Sequence, residues 1–514
     1  MAQIRDYLIE EYLETVCPQC ISCGKTSQDT PFIEGMLISR GGKIWMKRFC
    51  PDHGESESLY EEDENIWKSR FGWSVPTSTV TPDRIEWKSG LGDYANGLPG
   101  SHGQHTCILL LNITELCNFS CPTCFASANG PGHHSELPSR PSLSEISATC
   151  DAMIEREGGQ IGVVMLSGGE PTLRKDLPKI LQLLAKKRIT RVIVNTNGRR
   201  IARDHEFVKV LSDLSDRVEI YLQFDSFEKK ASIVLRGEDV TNEKLQAIAE
   251  LMKAKICTTL VPTVALGVND HEVGDIFRFG LKQPYVMGIA FQPVFGSGRG
   301  NQVHATSRIT PTGIISRLSS QAPDLVSNAD FVPLPCSHKD CCDIGYWVKS
   351  NDETWQSLIS LIGRDELHKW IHLVSNTISF ENSKEIVKTM VKEGILTRIL
   401  SEQQPTSSVQ LANDVLQMCN CVPGLAELVT GIWRRSKGEA GIGKELASQV
   451  FRVTIKQFMD AHTFHSHRLR QCCVHTGTFE EDPRRLSFCW RWMFSDASDF
   501  PINTHLKELR IVKQ

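Results

Sequence analysis

The chain has 514 residues, 40% of them hydrophobic, with 57 Lys and Arg against 61 Asp and Glu and a formal net charge of −4. That length fits two to four domains, the near-neutral balance excludes a general nucleic-acid binder, and no run of about 18 apolar residues exists to form a spanning helix. The outlier is the 18 cysteines: residues 1–16 show no apolar core of a secretory signal, and thiols in such number in a long chain of the expected cytoplasmic compartment serve metals rather than disulfides.

Residues 1–75 read as a first unit. Cys17-Pro18-Gln19-Cys20 and Cys50-Pro51-Asp52-His53 flank two strand patterns, Gly35 to Arg40 and Lys43 to Arg48, joined by a turn at Gly41-Gly42. Two knuckles around a hairpin have the spacing for one tetrahedral metal, a structural zinc or a redox iron, in a rubredoxin-like or zinc-ribbon-like unit. Cys17, Cys20 and Cys50 are the firm ligands. The fourth is His53, which keeps the two knuckles symmetrical, or the extra thiol Cys23. So small a unit builds little core, so the metal is partly its fold. Residues 76–104, rich in Pro, Gly, Ser and Trp, read as linker and surface loop.

Residues 105–305 alternate strand and helix patterns. Strands are expected at Cys107 to Ile113, Ile161 to Leu166, Arg191 to Val194, Val218 to Leu222, Thr258 to Val264 and Gly288 to Phe291, with helices such as Leu177 to Lys186 and Asn242 to Lys253 between them. Continuous apolar strands alternating with helices mean an α/β fold, a parallel sheet covered on both faces. Six such units predict a partial (β/α)6 TIM-like barrel, with its site at the C-terminal ends of the strands. Polar residues collect at those ends. After the first strand stand Cys117, Cys121 and Cys124, spaced C-x3-C-x2-C. Three close thiolates hold three irons of a four-iron, four-sulfur (4Fe–4S) cluster and leave the fourth iron open to chelate S-adenosylmethionine (SAM). A zinc site is disfavoured, because the nearest downstream cysteine is the lone Cys150. After the second strand, Gly168-Gly169-Glu170-Pro171 reads as a loop whose glycines admit a ligand to the backbone and whose Glu170 supports it. Asn195, Asn197, Gln223 and Asp225 are candidates for SAM or substrate. Arg236 is a candidate for the SAM carboxylate or for an acidic partner.

Residues 306–514 hold Cys336, Cys341, Cys342, Cys419, Cys421, Cys472, Cys473 and Cys489. Eight thiols match two further four-ligand clusters. Adjacent cysteines seldom ligate one cluster, so Cys341/Cys342 and Cys472/Cys473 are each expected to split between clusters or to be half idle. Helical patterns run over Trp355 to Ile362, Glu385 to Leu400, Val409 to Met418 and Lys444 to Met459, so the region is expected to be mostly α.

The cysteine loop and the GGEP stretch resemble the radical SAM superfamily. The CPxC and CPxHG knuckles, CNFSCPTCFA, GGEPTL, LQFDS, LRGED, FQPVFGSGR, PCSHKDCC, FMDAHTF and RQCCVH with its following FC together resemble the tetraether lipid synthase family and its radical SAM relatives. The resemblance implies a radical SAM enzyme that generates a 5′-deoxyadenosyl radical, abstracts hydrogen from an unactivated C–H and couples lipid hydrocarbon chains. It also implies one 4Fe–4S cluster with SAM, two auxiliary 4Fe–4S clusters, a mononuclear Fe or Zn, and an electron donor such as ferredoxin or flavodoxin. A lipid substrate implies contact at the membrane surface and a tunnel walled by the 343–471 helices; the clusters imply an anaerobic or low-oxygen setting. The alternatives are radical methylation of a small molecule such as a pterin precursor, and, from another class, an iron–sulfur electron carrier or scaffold. An intact GGEP loop disfavours the carrier.

Overall fold

The computed structural model describes residues 6–73, 82–83, 91–128, 130, 140–300, 303–334, 336–349, 353–365 and 449–494. Four antiparallel strands come first: β1 (Leu8–Thr15), β2 (Ile33–Arg40), β3 (Lys43–Cys50) and β4 (Gly54–Glu61), in the order β1-β2-β3-β4. The expected hairpin is β2–β3, with Arg40 opposite Lys43; β1 and β4 extend it on either side.

The remaining strands form one thirteen-stranded sheet. Its centre is β5 (Ile108–Thr114), β6 (Ile161–Gly168), β7 (Ile189–Thr196), β8 (Val218–Gln223), β9 (Thr258–Val261) and, after the short β10 (Thr263–Val264), β11 (Val286–Pro293). These pair in parallel and in chain order, except that β10 pairs only with β11. All seven residues of β5 are buried, as expected for a strand covered on both faces. Successive side chains divide between two cores. Leu109, Leu111, Ile113, Val164, Leu166, Val192 and Val194 face the helices. Ile108, Leu110, Val163, Met165, Ile193 and Tyr221 face inward. The helices meet the first set with stripes three and four residues apart: Ile146, Cys150 and Met153 of Leu143–Arg156, and Leu177, Ile180, Leu181 and Leu184 of Leu177–Ala185. Ser142 and Glu145 close a capping box at the first of these.

The C-terminal third differs from its helical expectation. Among the described residues it supplies β12 (Val332–Pro333), β13 (Cys342–Lys349), β14 (Trp355–Ser357), β15 (Val450–Lys456), β16 (Val474–Gly477) and β17 (Arg485–Ser487). β15 pairs in parallel with β11 and β16 in parallel with β5, so these strands extend both edges of the central sheet. The helix expected over Lys444 to Met459 is therefore a strand through Val450–Lys456, and the one expected at Trp355 is β14 followed by a helix at Leu358–Ile362. Val450–Lys456 is mostly buried, and its pairing with β11 and β13 on both sides overrides a local helical pattern. The patterns at Glu385 to Leu400 and Val409 to Met418 lie outside the described residues. Of the expected linker, Leu91–Asn96 is a 3-10 helix, and Leu91, Tyr94 and Leu98 are buried in the inner core. No helix among the described residues is long and apolar enough to cross a membrane.

The N-terminal strands are fastened to the rest by buried polar contacts. Arg48 donates to the carbonyls of Ala461 at 3.0 Å and His462 at 2.8 Å. Thr15 donates to the Phe464 carbonyl at 2.7 Å. Arg70 grips Asp343 with two hydrogen bonds of 3.0 and 2.6 Å and reaches Glu61 at 2.6 Å. Removing a guanidinium from buried carboxylates strands their charge. Arg70→Met is expected to destabilise the metal-loaded chain by about 3–5 kcal/mol, read as a lower urea midpoint.

Candidate functional site

The inward face of the sheet and the loops above it enclose a cavity of about 180 Å³. Side chains of β5, β6, β7, β8, β9, β10, β11, β15 and β16 all line it, so the sheet curves around one space. Cys117, Cys121, Cys124, Gly168, Gly169, Glu170, Asn195, Asn197, Gln223 and Arg236 all line it, as the strand-end reading expects. Pro171 and Asp225 do not; they stand behind the wall.

The cysteine loop is pinned from three sides. Its lead-in backbone lies against the glycines: Gly169 N donates to the Thr114 carbonyl and Glu170 N to the Leu116 carbonyl, both at 2.7 Å. A Cβ at Gly168 would meet the Thr114 oxygen at 2.1 Å, and one at Gly169 the Leu116 oxygen at 2.1 Å. Gly168 also holds a φ of +124°. The two glycines admit this strand of backbone, a contact that the sequence did not show. Glu170 is buried and its carboxylate is fully engaged. Oε1 accepts from Thr172 N at 3.1 Å, Thr172 Oγ1 at 2.6 Å and Thr196 Oγ1 at 2.7 Å; Oε2 accepts from Asn197 N at 2.7 Å. It braces the loop, as expected. Asn197 then donates to Asn118 Oδ1 at 2.7 Å. Phe119, buried inside the cysteine loop, lies under the Arg199 guanidinium at 4.2 Å and the Lys244 ammonium at 5.4 Å.

Electrostatics at the loop are set by burial and two cations. Burial pushes the Cys117 thiol up to about 12. It also raises Cys121, against which the Arg236 guanidinium pulls. Arg236 finds the acidic partner that was one of its two readings: Asp225 accepts from Nε at 2.8 Å and Nη2 at 2.6 Å. Lys244 is fully buried and donates to Gln223 Oε1 at 2.6 Å and to the Asn197 carbonyl. Burial brings its ammonium down to about 8, against the pull of Asp225. Lys244 was not foreseen, although it stands at i with Ala247, Ile248 and Leu251 on the buried stripe of its helix. Phe125, Phe295, Phe458 and Phe488 form an aromatic wall over the cavity, with ring centroids 4.5 to 5.6 Å apart.

In the N-terminal unit, the donor atoms of Cys17, Cys20, Cys50 and His53 lie within 4.8 Å of one another. His53 Nδ1 is 3.5, 3.4 and 3.6 Å from the three sulfurs. Cys23 is exposed and outside this group. Burial raises the Cys50 thiol, but hydrogen bonds from His53 and from backbone N–H groups outweigh it and bring it to about 7.

The C-terminal cysteines gather around β16 and β13. Cys336 and Cys473 join Cys107, whose thiol was read only as part of a strand, within 4.8 Å of one another. The Cys107 N–H also donates to the Cys473 carbonyl at 2.9 Å. Cys489 has Cys472 and Cys341 as charged-state neighbours. Cys473 groups with Cys107 and Cys336, whereas Cys472 donates from its Sγ to the Val474 carbonyl at 3.2 Å. Cys342 faces the inner core beside Lys456. Cys419 and Cys421 lie outside the described residues.

Residues 111–280 match the family model of the radical SAM superfamily. That stretch is a radical SAM domain. Residues 9–62 match the HMPTM N-terminal zinc ribbon domain. The 7,8-dihydro-6-hydroxymethylpterin dimethyltransferase of Methanocaldococcus jannaschii is 28% identical over 492 residues, covering 94% of this chain and 93% of that protein. The GTP 3′,8-cyclase of Tolumonas auensis is 31% identical over 181 residues, 34% of this chain and half (50%) of that protein. Among solved structures, Streptococcus suis SuiB bound to precursor peptide SuiA is similar with a TM-score of 0.36 and 14% identity, over 45% of this chain and 48% of that one.

The family carries a 4Fe–4S cluster with SAM, and three thiols on one loop, opening into one cavity beside a glycine edge, fit that pair of groups. Two outcomes check the site. Glu170→Gln replaces two acceptor oxygens by one and turns an amide N–H₂ on a donor, so melting of the metal-free chain should report a loss of about 1–3 kcal/mol. SAM affinity, measured by equilibrium dialysis, should fall with it. At the ribbon, His53→Ala should lower affinity for one metal per chain, measured by chelator competition, while Cys23→Ala leaves it unchanged.

Proposed function

We propose that the chain is a radical methylase of a small planar heterocycle of the pterin class. The observation that carries this reading is the cavity's lining, aromatic rings on one side and polar strand-end residues on the other. A compact pocket with a few convergent polar groups suits a small ring system. A hydrocarbon chain needs a long apolar tunnel. Of the 343–471 segment expected to wall one, residues 366–448 lie outside the described residues. The pterin dimethyltransferase relative, similar over nearly the whole chain, favours the methylase over the lipid-coupling reading that the motifs first implied.

We read the curved parallel sheet as the partial (β/α)6 barrel, with the ribbon (1–75) before it, residues 105–305 as its body and residues 306–514 completing its wall. Cys117, Cys121 and Cys124 would hold the cluster, and the Gly168-Gly169 edge with Asn195, Asn197 and Gln223 would orient SAM. Cluster and SAM, when bound, supply the radical and the methyl group. The chain's own part is to hold the thiols by the Glu170 brace, to place Arg236 beside Cys121, and to exclude water with the aromatic wall. Cys17, Cys20, Cys50 and His53 would hold one zinc. Cys107, Cys336 and Cys473 would anchor one auxiliary cluster, with Cys342 next to them; Cys341, Cys472 and Cys489 would anchor a second. Reductive cleavage of SAM requires a one-electron donor such as ferredoxin or flavodoxin.

The reconstituted chain, given SAM, dithionite and 6-hydroxymethyl-7,8-dihydropterin, should add one methylene in mass per transfer, with 5′-deoxyadenosine released. Changing Cys117, Cys121 and Cys124 together to Ala should abolish both. A lipid product lighter by two hydrogens, formed from archaeal-type lipids with no methylated pterin, would restore the coupling reading.

A further inference from the structure

On β15, Phe451, Val453 and Ile455 enter the helix-facing core, so Arg452, Thr454 and Lys456 face inward. Lys456 ends the strand, is only 9% exposed, and lines the cavity. The other cations near the cysteine loop are engaged: Arg236 by Asp225, Lys244 by Gln223 and the Asn197 carbonyl, Arg199 by Glu238 and Glu243. The Lys456 ammonium makes no hydrogen bond or ion pair among the described residues. Cys342 stands directly opposite it in the β13–β15 pairing. Across the other edge, Phe291 pairs with Ile455, which sets Gln292 beside Lys456. Gln292 also lines the cavity. Its backbone N–H donates to the Pro262 carbonyl at 2.9 Å, and its side-chain amide has no hydrogen bond among the described residues.

An ammonium has three donors and no acceptor, and burying it unpaired is costly. A cavity that keeps one therefore takes a ligand bearing an oxygen acceptor at that point. A neighbouring amide adds both a donor and an acceptor. A side-by-side ammonium and carboxamide complement a ring carbonyl with its adjacent ring N–H. The aromatic wall of Phe125, Phe458 and Phe488 supplies the faces for a flat ring.

We propose that Lys456 and Gln292 are the specificity-determining pair of the cavity, reading the lactam edge of the substrate ring: Lys456 donates to the ring carbonyl, and the Gln292 oxygen accepts from the adjacent N–H. This rests on the small-heterocycle reading above. A phosphate oxygen is the other acceptor an ammonium would take.

The test uses binding, measured by equilibrium dialysis on the cluster-loaded, SAM-bound chain. The probes are 6-hydroxymethyl-7,8-dihydropterin and its 4-amino analogue, which puts an amine where the carbonyl stands. Wild type should prefer the oxo compound by at least about tenfold, the worth of a charge-assisted hydrogen bond. Lys456→Met should lose that preference while iron content and SAM binding stay as in wild type. Gln292→Leu should weaken the oxo compound and provides the test if Lys456→Met does not fold. A preference that survives Lys456→Met overturns the proposal. So does loss of SAM binding, which would give Lys456 to the SAM carboxylate, or loss of iron, which would make it a counter-ion for Cys342. Displacement of the pterin by inorganic phosphate overturns the ring-edge assignment in favour of a phosphate. Equal binding of both probes by wild type overturns this inference alone, whereas binding of neither, with no methylated product, removes the pterin reading itself.

Discussion

The site depends on one backbone contact, the run from Thr114 to Leu116 laid against Gly168 and Gly169. The approach leaves no room for a side chain at either glycine, and two N–H groups donate across it. The cysteine loop and the glycine loop are therefore one rigid piece, although they follow different strands. Glu170 extends that piece to a third strand end by accepting from Thr196 and from the Asn197 N–H. A buried carboxylate that takes four hydrogen bonds resists displacement, because each donor released would be left unpaired in a dry site. Precision in the site comes from this bracing rather than from the cysteines, which bring reactivity but little shape.

Around that piece the sheet divides the molecule into two environments. Its outer face packs on helices as a conventional apolar core, and its inner face carries the chemistry. The C-terminal strands matter because they join both edges of the parallel set. β15 carries Lys456 and β16 follows directly on Cys472 and Cys473, so extending the sheet at both edges also delivers thiols and a cation to the interior. Cys107 stands at the opposite side of the same seam, just before β5. The ribbon is held to this body by Arg48, Thr15 and Arg70. Such contacts are costly to bury and costlier to break singly, so they fix the orientation of the ribbon against the body.

The methylase reading gives these features a common purpose. On that reading the aromatic wall would take a flat substrate, the braced loops would hold the reagents, and the inner ends of β11 and β15 would face the remaining polar edge. A lipid chain would use none of the polar lining at Gln292 and Lys456.

Much of this was written locally in the sequence. Parallel strands covered on both faces are continuous apolar runs, so all six central strands were legible, and each turn from strand to loop carried its polar residues with it. The cysteine loop, the GGEP stretch and the ribbon knuckles are short-range spacings, which the chain cannot hide. What the sequence alone left open was whatever depends on distant pairing. Val450–Lys456 became a strand because β11 and β13 offered two edges to pair with, and a seven-residue segment obeys its neighbours more than its own periodicity. His53 rather than Cys23 joined the ribbon group because the turn between β3 and β4 sets its imidazole against the three sulfurs, while Cys23 lies outside them. Cys107 met Cys336 and Cys473, and Lys456 met an interior without a counter-charge among the described residues, because the folded sheet curves and its edges are joined by strands from the far end of the chain. Composition and spacing determine which chemistry is available; only the closing of the sheet decides which groups face one another.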